Sequence, residues 1–264
     1  MLQRHESSNG IVVYLSPLLR ERGVRHAFST RLGGISPEPF ASMNLGNPNG
    51  CAIQDDYERI WENYRMLQRS VGLDAHEKPC RVHQVHGNVV VSTKPGEPFD
   101  TNAKADAIVS DDPCRVISVR VADCVPILIA SDDGKQVAAI HAGWRGVVAD
   151  VVAAAIQRIG TSAAGCVAAI GPCISASAFE VGPEVLAEFD HAFGDRAPCR
   201  RREDGKGHVD LREAIRLQLI DAGIAPAQID STDRCTFAHS EEFFSHRREN
   251  GVTGRLAALI QPNG

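Results

Sequence analysis

Two side chains near the middle of the chain, Cys124 and His141, can either coordinate a soft or borderline metal ion or act together as thiolate nucleophile and general base. Each stands where an apolar run gives way to a polar residue or a glycine, the kind of position from which a rigid scaffold presents side chains to a ligand. They stand seventeen positions apart, room for two strands and a turn, so a hairpin would bring both to one end of one sheet. Gly143 and Gly146 follow His141 closely and permit near approach of backbone or ligand. Asp123, beside Cys124, is a further catalytic candidate. Metal coordination and nucleophilic attack are alternative uses of the Cys124 thiolate, because coordination draws on the sulfur electron density that attack requires, and spacing leaves both open.

A third group is needed for a metal, and His83 and His86 are the candidates. Residues three apart on a regular strand face opposite ways, so one of the two should face the site, and His86, at the break before Gly87, is the better placed. A His-Cys-His set suits zinc and leaves a fourth position for water or substrate, the pattern of a catalytic rather than a structural site.

Anion-binding groups recur along the chain. Ser29 and Arg31 lie in a glycine-containing loop, Arg145 lies in Gly143-Trp144-Arg145-Gly146 at the expected start of a helix, and Arg247 precedes Arg248. Guanidinium forks and hydroxyls suit phosphate or carboxylate, and the free N–H groups of a helix start add to Arg145. No GxGxxG follows a strand and no GxxxxGK[ST] occurs, so neither a nicotinamide cofactor nor P-loop ATP hydrolysis is supported.

These groups need a scaffold, and hydrophobic periodicity supplies one. Strands are expected at 11–15, 24–28, 81–85, 88–93, 107–110, 115–121, 125–130, 136–140, 166–170, 228–232 and 255–261, from β-branched content bounded by turn residues. Tyr57, Ile60, Trp61, Tyr64, Leu67 and Val71 recur with helical spacing over 55–71, a helix stopped by Gly72. Further helices are expected at 144–159, 183–193 and from an Asp210 N-cap to Gly223, with 196–207 a polar surface loop.

Composition bounds the partners. The chain has 264 residues, 43% hydrophobic and 23% charged, typical of a globular protein. Its net charge of −5 gives no sequence-independent attraction to a polyanion, so no nucleic-acid partner is expected. The apolar run 125–130 is far shorter than a membrane span and the N-terminal stretch does not read as an export signal, so a cytoplasmic protein without membrane contact is expected. Eight scattered cysteines with no CxxC read as reduced thiols. No repeat or linker interrupts the chain, so residues 1–264 are read as one domain, and a monomer is expected.

The ordered motifs Ser29-Thr30-Arg31-Leu32-Gly33-Gly34, Asn44-Leu45-Gly46, Gln84-Val85-His86-Gly87, Ala105-Asp106-Ala107, Ala122-Asp123-Cys124-Val125-Pro126, His141-Ala142-Gly143-Trp144-Arg145-Gly146, Ile170-Gly171-Pro172-Cys173-Ile174, Cys235-Thr236 and Phe244-Ser245-His246-Arg247-Arg248 cover nearly the whole chain. They resemble the bacterial purine nucleoside phosphorylase family formerly labelled polyphenol oxidase or multicopper laccase, which includes the peptidoglycan editing factor. The resemblance implies metal ligands His86, Cys124 and His141. It also implies zinc-dependent phosphorolysis of adenosine, inosine and methylthioadenosine, adenosine deamination, and an α+β fold. That fold is one of mixed β-sheets packed as a sandwich core flanked by helices, related to cysteine-dependent toxin deamidases. Copper-dependent polyphenol oxidation is the older label. Two departures stand out: His83 adds a competing ligand beside His86, and His246 replaces the more usual tyrosine before the paired arginines. The residues themselves also admit a hydrolase that edits cell-wall precursors through Cys124 and His141, or a metal-binding protein without catalysis.

Overall fold

The computed structural model describes residues 1–264. Its strands are β1 (Gln3–Glu6), β2 (Val12–Leu15), β3 (Arg25–Ser29), β4 (Val90–Thr93), β5 (Ala107–Ser110), β6 (Ile117–Val121), β7 (Val125–Ala130), β8 (Val137–Ala142), β9 (Val167–Ile170), β10 (Glu180–Val181), β11 (Cys199–Arg201), β12 (Gly207–Val209), β13 (Ile229–Asp230) and β14 (Leu256–Gln261). The α-helices are α1 (Pro17–Glu21), α2 (Tyr57–Ser70), α3 (Trp144–Val148), α4 (Val151–Ile159), α5 (Pro183–Phe193) and α6 (Leu211–Asp221).

Two large sheets face one another. One has the order β1-β2-β3-β14-β6 and the other β13-β9-β7-β8-β5-β4, while β10-β12-β11 form a small third sheet. Pairing is antiparallel except for β4 with β5 and β13 with β9, which makes the mixed-sheet α+β sandwich expected from the motifs. The continuous apolar run of β7 is explained by burial on both faces. Leu128 and Ala130 point into the core shared with Phe28, Val119 and Ala258 of the other sheet. Ile127 and Ile129 point instead into a core shared with Val152, Ile156, Phe189 and Ile215 of the helices. On the far side, β14 turns Ala257 and Leu259 toward Ile60, Tyr64 and Leu67 of α2. The layers therefore run α2, sheet, sheet, helices, and each large sheet has a core on both faces.

Local chemistry accounts for the element ends. Asp56 caps α2 by accepting from Glu58 N and Arg59 N, and Asp210 caps α6 by accepting from Glu213 N. The helix expected over 144–159 is two helices, because Asp150 adopts a left-handed conformation (φ 53°) and its carboxylate caps Ala153 N to start α4. The stretch expected as a strand at 81–85 runs extended but is held only by isolated bridges, His83 to Lys104 among them, since the carboxylate of Asp106 takes its last backbone donors. The loop expected at 196–207 contains β11 and the start of β12, whose ladder is short and polar enough to lack an apolar signature. The periodicity also misses β1, whose four residues are all exposed, and α1, a single turn begun by Ser16 and Pro17.

Candidate metal centre

The β7–β8 hairpin does bring the cysteine and histidine together. Pro126 pairs with His141 and Val125 with Ala142, so Cys124, one residue before β7, lies beside the last residues of β8. His141 is inside β8 and 3% exposed, not just past the strand's end. His86 comes from the other side, on a turn where its own φ is 62°. One donor atom from each of His86, Cys124 and His141 lies within 4.8 Å of the other two. The two imidazole rings meet edge to face with centroids 4.9 Å apart.

Glycine makes this convergence possible. A Cβ on Gly143 would stand 2.6 Å from His86 Cδ2 and 3.2 Å from Cys124 Sγ. A Cβ on Gly146 would stand 3.0 Å from the carbonyl oxygen of Gly87. The first turn after β8 thus forms a floor flat enough for the His86 turn to rest on.

Asp106 holds both histidines, a role that its place in the Ala105-Asp106-Ala107 motif did not disclose. Fully buried at the foot of β5, it receives His141 Nδ1–H on Oδ1 at 2.8 Å and the backbone N–H of His86 at 2.9 Å. Its Oδ2 accepts from Val85 N at 3.2 Å and Gly87 N at 2.7 Å. Burial pushes the Asp106 carboxyl up, but His141 and the Gly87 and His86 amides outweigh it and keep the group ionised below its ordinary range. With Nδ1 donating to Asp106, His141 presents Nε2 to the centre, the arrangement by which carboxylates orient metal-binding imidazoles. Burial likewise raises the Cys124 thiol, yet the His141 and His86 imidazoles bring it below its usual value. His141 in turn is raised, because the Cys124 thiolate and Asp106 outweigh its burial. A thiolate and two oriented imidazoles are the donor set zinc prefers, with room on the open side for a fourth ligand.

That open side is a cavity of about 330 Å³ lined by the three candidate ligands and by Arg120, Arg247 and Arg255, among others. His246 and His83 also reach it, but His83 does not belong to the donor cluster. The only carboxylate in its wall is Asp123. That carboxylate is already engaged: Oδ1 accepts Thr236 Oγ1–H at 2.6 Å, and Oδ2 accepts Ser245 Oγ–H at 3.0 Å and Arg247 N–H at 2.7 Å. Asp123 adopts φ 91° and ties the Cys124 turn to two segments more than a hundred residues away. Expected as a catalytic group, it lies in the cavity wall with both oxygens hydrogen-bonded to the protein.

Three of the four expected anion-binding residues lie outside the cavity wall. Ser29 is buried in β3, its Oγ accepting Ala257 N–H at 2.9 Å across the sheet. Arg31 donates from Nε to Ala41 O at 2.8 Å and from an Nη to Ser240 O at 3.2 Å, and its guanidinium lies 4.6 Å over the Phe244 ring. Arg145 is exposed and folds back over Trp144, 4.3 Å from its ring. Arg247 alone reaches the cavity, steadied by Glu180 O at 3.0 Å. Arg120 and Arg255 were not singled out in the sequence, where they look like ordinary strand-edge arginines of β6 and β14. Only strand pairing between β6 and β14 reveals that they face one space.

The family model described as multi-copper polyphenol oxidoreductase laccase matches residues 25–263. The purine nucleoside phosphorylase YfiH of Escherichia coli (strain K12) is 36% identical over 239 residues, covering 90% of this chain and 94% of that protein. A purine nucleoside phosphorylase of Deinococcus radiodurans is 35% identical over 250 residues, covering 92% of each. Among solved structures, YlmD from Geobacillus stearothermophilus superposes with a TM-score of 0.86 at 28% identity over 99% of both chains. A Bacillus licheniformis protein titled hypothetical protein YfiH gives 0.86 at 26% identity, over 98% of this chain and 99% of that one. Matched along nearly its full length both by the model and by these relatives, the chain belongs to the multi-copper polyphenol oxidoreductase laccase family, whose curated members include proteins named purine nucleoside phosphorylase.

Proposed function

We propose that this protein is a zinc-dependent purine nucleoside phosphorylase that accepts adenosine, inosine and methylthioadenosine and also deaminates adenosine, with residues 1–264 acting as one domain. The observation that carries the reading is the His86, Cys124 and His141 cluster, donor atoms within 4.8 Å, at the wall of a cavity that also holds three arginines. A cavity of about 330 Å³ is within the range of small-ligand sites. Zinc held by these three residues would supply Lewis acidity at the open side of the cluster. The rest of the work falls to the chain. Asp106 keeps His141 in one tautomer and the His86 turn in place, so that the ligand set needs little reorganisation. Arg247 and Arg255, with Arg120, offset the negative charge of phosphate and orient it toward the sugar carbon. They take the part expected of Ser29, Arg31 and Arg145.

The test is chemical. Zinc-loaded protein should release adenine from adenosine and hypoxanthine from inosine only when phosphate is present, and should form inosine from adenosine. Protein with full zinc occupancy that does neither would refute the proposal. Elemental analysis of protein prepared without added metal should find about one zinc per chain, absent from Cys124→Ala, and copper found instead would move the reading to the oxidase label.

The depressed Cys124 thiol beside His141 favours one second reading, hydrolysis of an amide or ester in a cell-wall precursor with Cys124 as nucleophile. Metal-free protein that turns over such a substrate and is alkylated at Cys124 during turnover would establish it in place of the first.

A further inference from the structure

On the other side of Arg120 from the cavity at the metal centre lies a second chamber of about 240 Å³, formed between α2 and the segment from Lys78 to His83. The two share Asn47, Asn49, His83 and Arg120 as a common wall. The second chamber contains Lys78, Arg81 and Arg120 and no aspartate or glutamate. None of the three cations forms an ion pair anywhere in the protein. Three like charges gathered on one concave surface without a counter-charge repel one another, and such an arrangement favours an anion.

Two buried polar atoms at the same place also lack partners. Tyr64, only 1% exposed, has a hydroxyl with no hydrogen bond, and so does Nε of Arg81, whose guanidinium lies 5.2 Å over the Tyr64 ring. An unsatisfied buried hydroxyl or guanidinium N–H costs roughly 1–3 kcal/mol, so both point to a partner that the polypeptide does not provide. The wall is built around Arg120 in particular. A Cβ on Gly46 would meet Arg120 Cδ at 2.8 Å and an Nη at 3.1 Å, which gives the Asn44-Leu45-Gly46 motif a purpose: it clears the space in which that guanidinium lies between the two chambers.

We propose that the second chamber is a phosphoryl-binding subsite, with Lys78, Arg81 and Arg120 as its cations and the Tyr64 hydroxyl as a further donor. A tetrahedral dianion has enough acceptor oxygens to satisfy the guanidinium forks and the hydroxyl together. The phosphoryl group arrives either as free phosphate or as the phosphate ester of a nucleotide whose base and sugar occupy the first cavity. The inference rests on the proposed function only for the identity of that nucleoside.

Isothermal titration of zinc-loaded protein with inorganic phosphate, adenosine and adenosine 5′-monophosphate tests it. Arg81→Met should weaken binding of phosphate, of the monophosphate or of both by about tenfold or more, and exposed Lys78→Met by about threefold, while adenosine affinity stays within about twofold. Tyr64→Phe, which keeps the ring in its core, should weaken the same ligands without lowering Tm. If the monophosphate binds tighter than adenosine and Arg81→Met removes that gain, the phosphoryl group arrives on the nucleoside. If inorganic phosphate binds and the monophosphate gains nothing over adenosine, the free anion is the ligand. Binding of both anions unchanged in Arg81→Met and in Lys78→Met, or no binding of either to the parent protein, would overturn the inference. Phosphate binding that responds to these variants in a protein without nucleoside turnover would leave the subsite standing and refute the proposed function instead.

Discussion

Replacing Asp106 by asparagine should cost the protein its metal while leaving the fold in place. The side chains are nearly isosteric, but Asp106 accepts from four donors, two on each oxygen. Asparagine has one carbonyl oxygen and one NH₂. If its oxygen occupies the Oδ1 position, His141 and His86 N keep their acceptor while Val85 N and Gly87 N face an amide donor, and the turn that carries His86 loosens. If its oxygen takes the other position, His141 Nδ1–H faces the NH₂, and the ring must flip or put its proton on Nε2, the atom that should bind the ion. Either arrangement loses two hydrogen bonds to a buried charge, each worth about 1.5–3 kcal/mol to the folded site. Part of that loss is recovered by relaxation and water at the exposed His86 turn. Loss of an oriented carboxylate behind a ligand histidine typically costs about 10–100-fold in metal affinity, or about 1.4–2.7 kcal/mol. The assay is competition for zinc with a chromophoric chelator at neutral pH, on protein whose circular dichroism matches the parent. Zinc affinity within about threefold of the parent would refute the assignment of Asp106 as the group that positions both histidines.

Other perturbations separate the centre from its scaffold. Gly143→Ala meets no backbone objection at φ −74° but pushes a methyl against His86 Cδ2, so zinc affinity should fall by about tenfold or more with Tm nearly unchanged; full zinc retention in this variant would show that the His86 turn does not rest on the floor after β8. Arg31→Met should destabilise the fold by about 1–3 kcal/mol in denaturant titration, through loss of its carbonyl and Phe244 contacts. It should leave the KM for phosphate unchanged, and a large rise in that KM would restore Arg31 to the site. His26 is 2% exposed, accepts Ser16 N–H at 2.8 Å, and is pushed down by burial to about 4. Since the unfolded chain takes up that proton first, stability should be full above pH 6.5 and decline by about 3 kcal/mol as pH falls to 4. His26→Gln should flatten that part of the pH–stability curve, and an unaltered curve would remove His26 as its cause.

Where one residue type does one thing, the sequence was informative. Asp210 followed by helical periodicity marked the start of α6, because a side-chain cap is satisfied by neighbours in the chain. The 125–130 run marked a strand, and the structure explains its lack of polar residues by burial on both faces. Arginine was misleading. Its long side chain reaches carbonyls, rings, carboxylates or ligands equally well, so Arg31 looked like a phosphate clamp from its glycine-containing loop and proves to tie Ala41 and Ser240 together. Arg120 and Arg255 gave no local sign of function, because what matters about them is the space they face.

By itself, then, the sequence determined the central hairpin and the identity of the reactive side chains at and near its end: the sixteen residues between Cys124 and His141 suffice for two strands and a turn, and strand periodicity is a short-range property that neighbouring residues dictate. Tertiary structure decided which groups serve that pair. His86, Asp106, Arg120 of β6 and Arg255 just before β14 converge from segments far apart in the chain, and Asp123 reaches across to Thr236, Ser245 and Arg247. Their meeting depends on how two sheets stack, which turns tolerate φ values of 62° and 91°, and where glycine leaves room for another chain segment to approach.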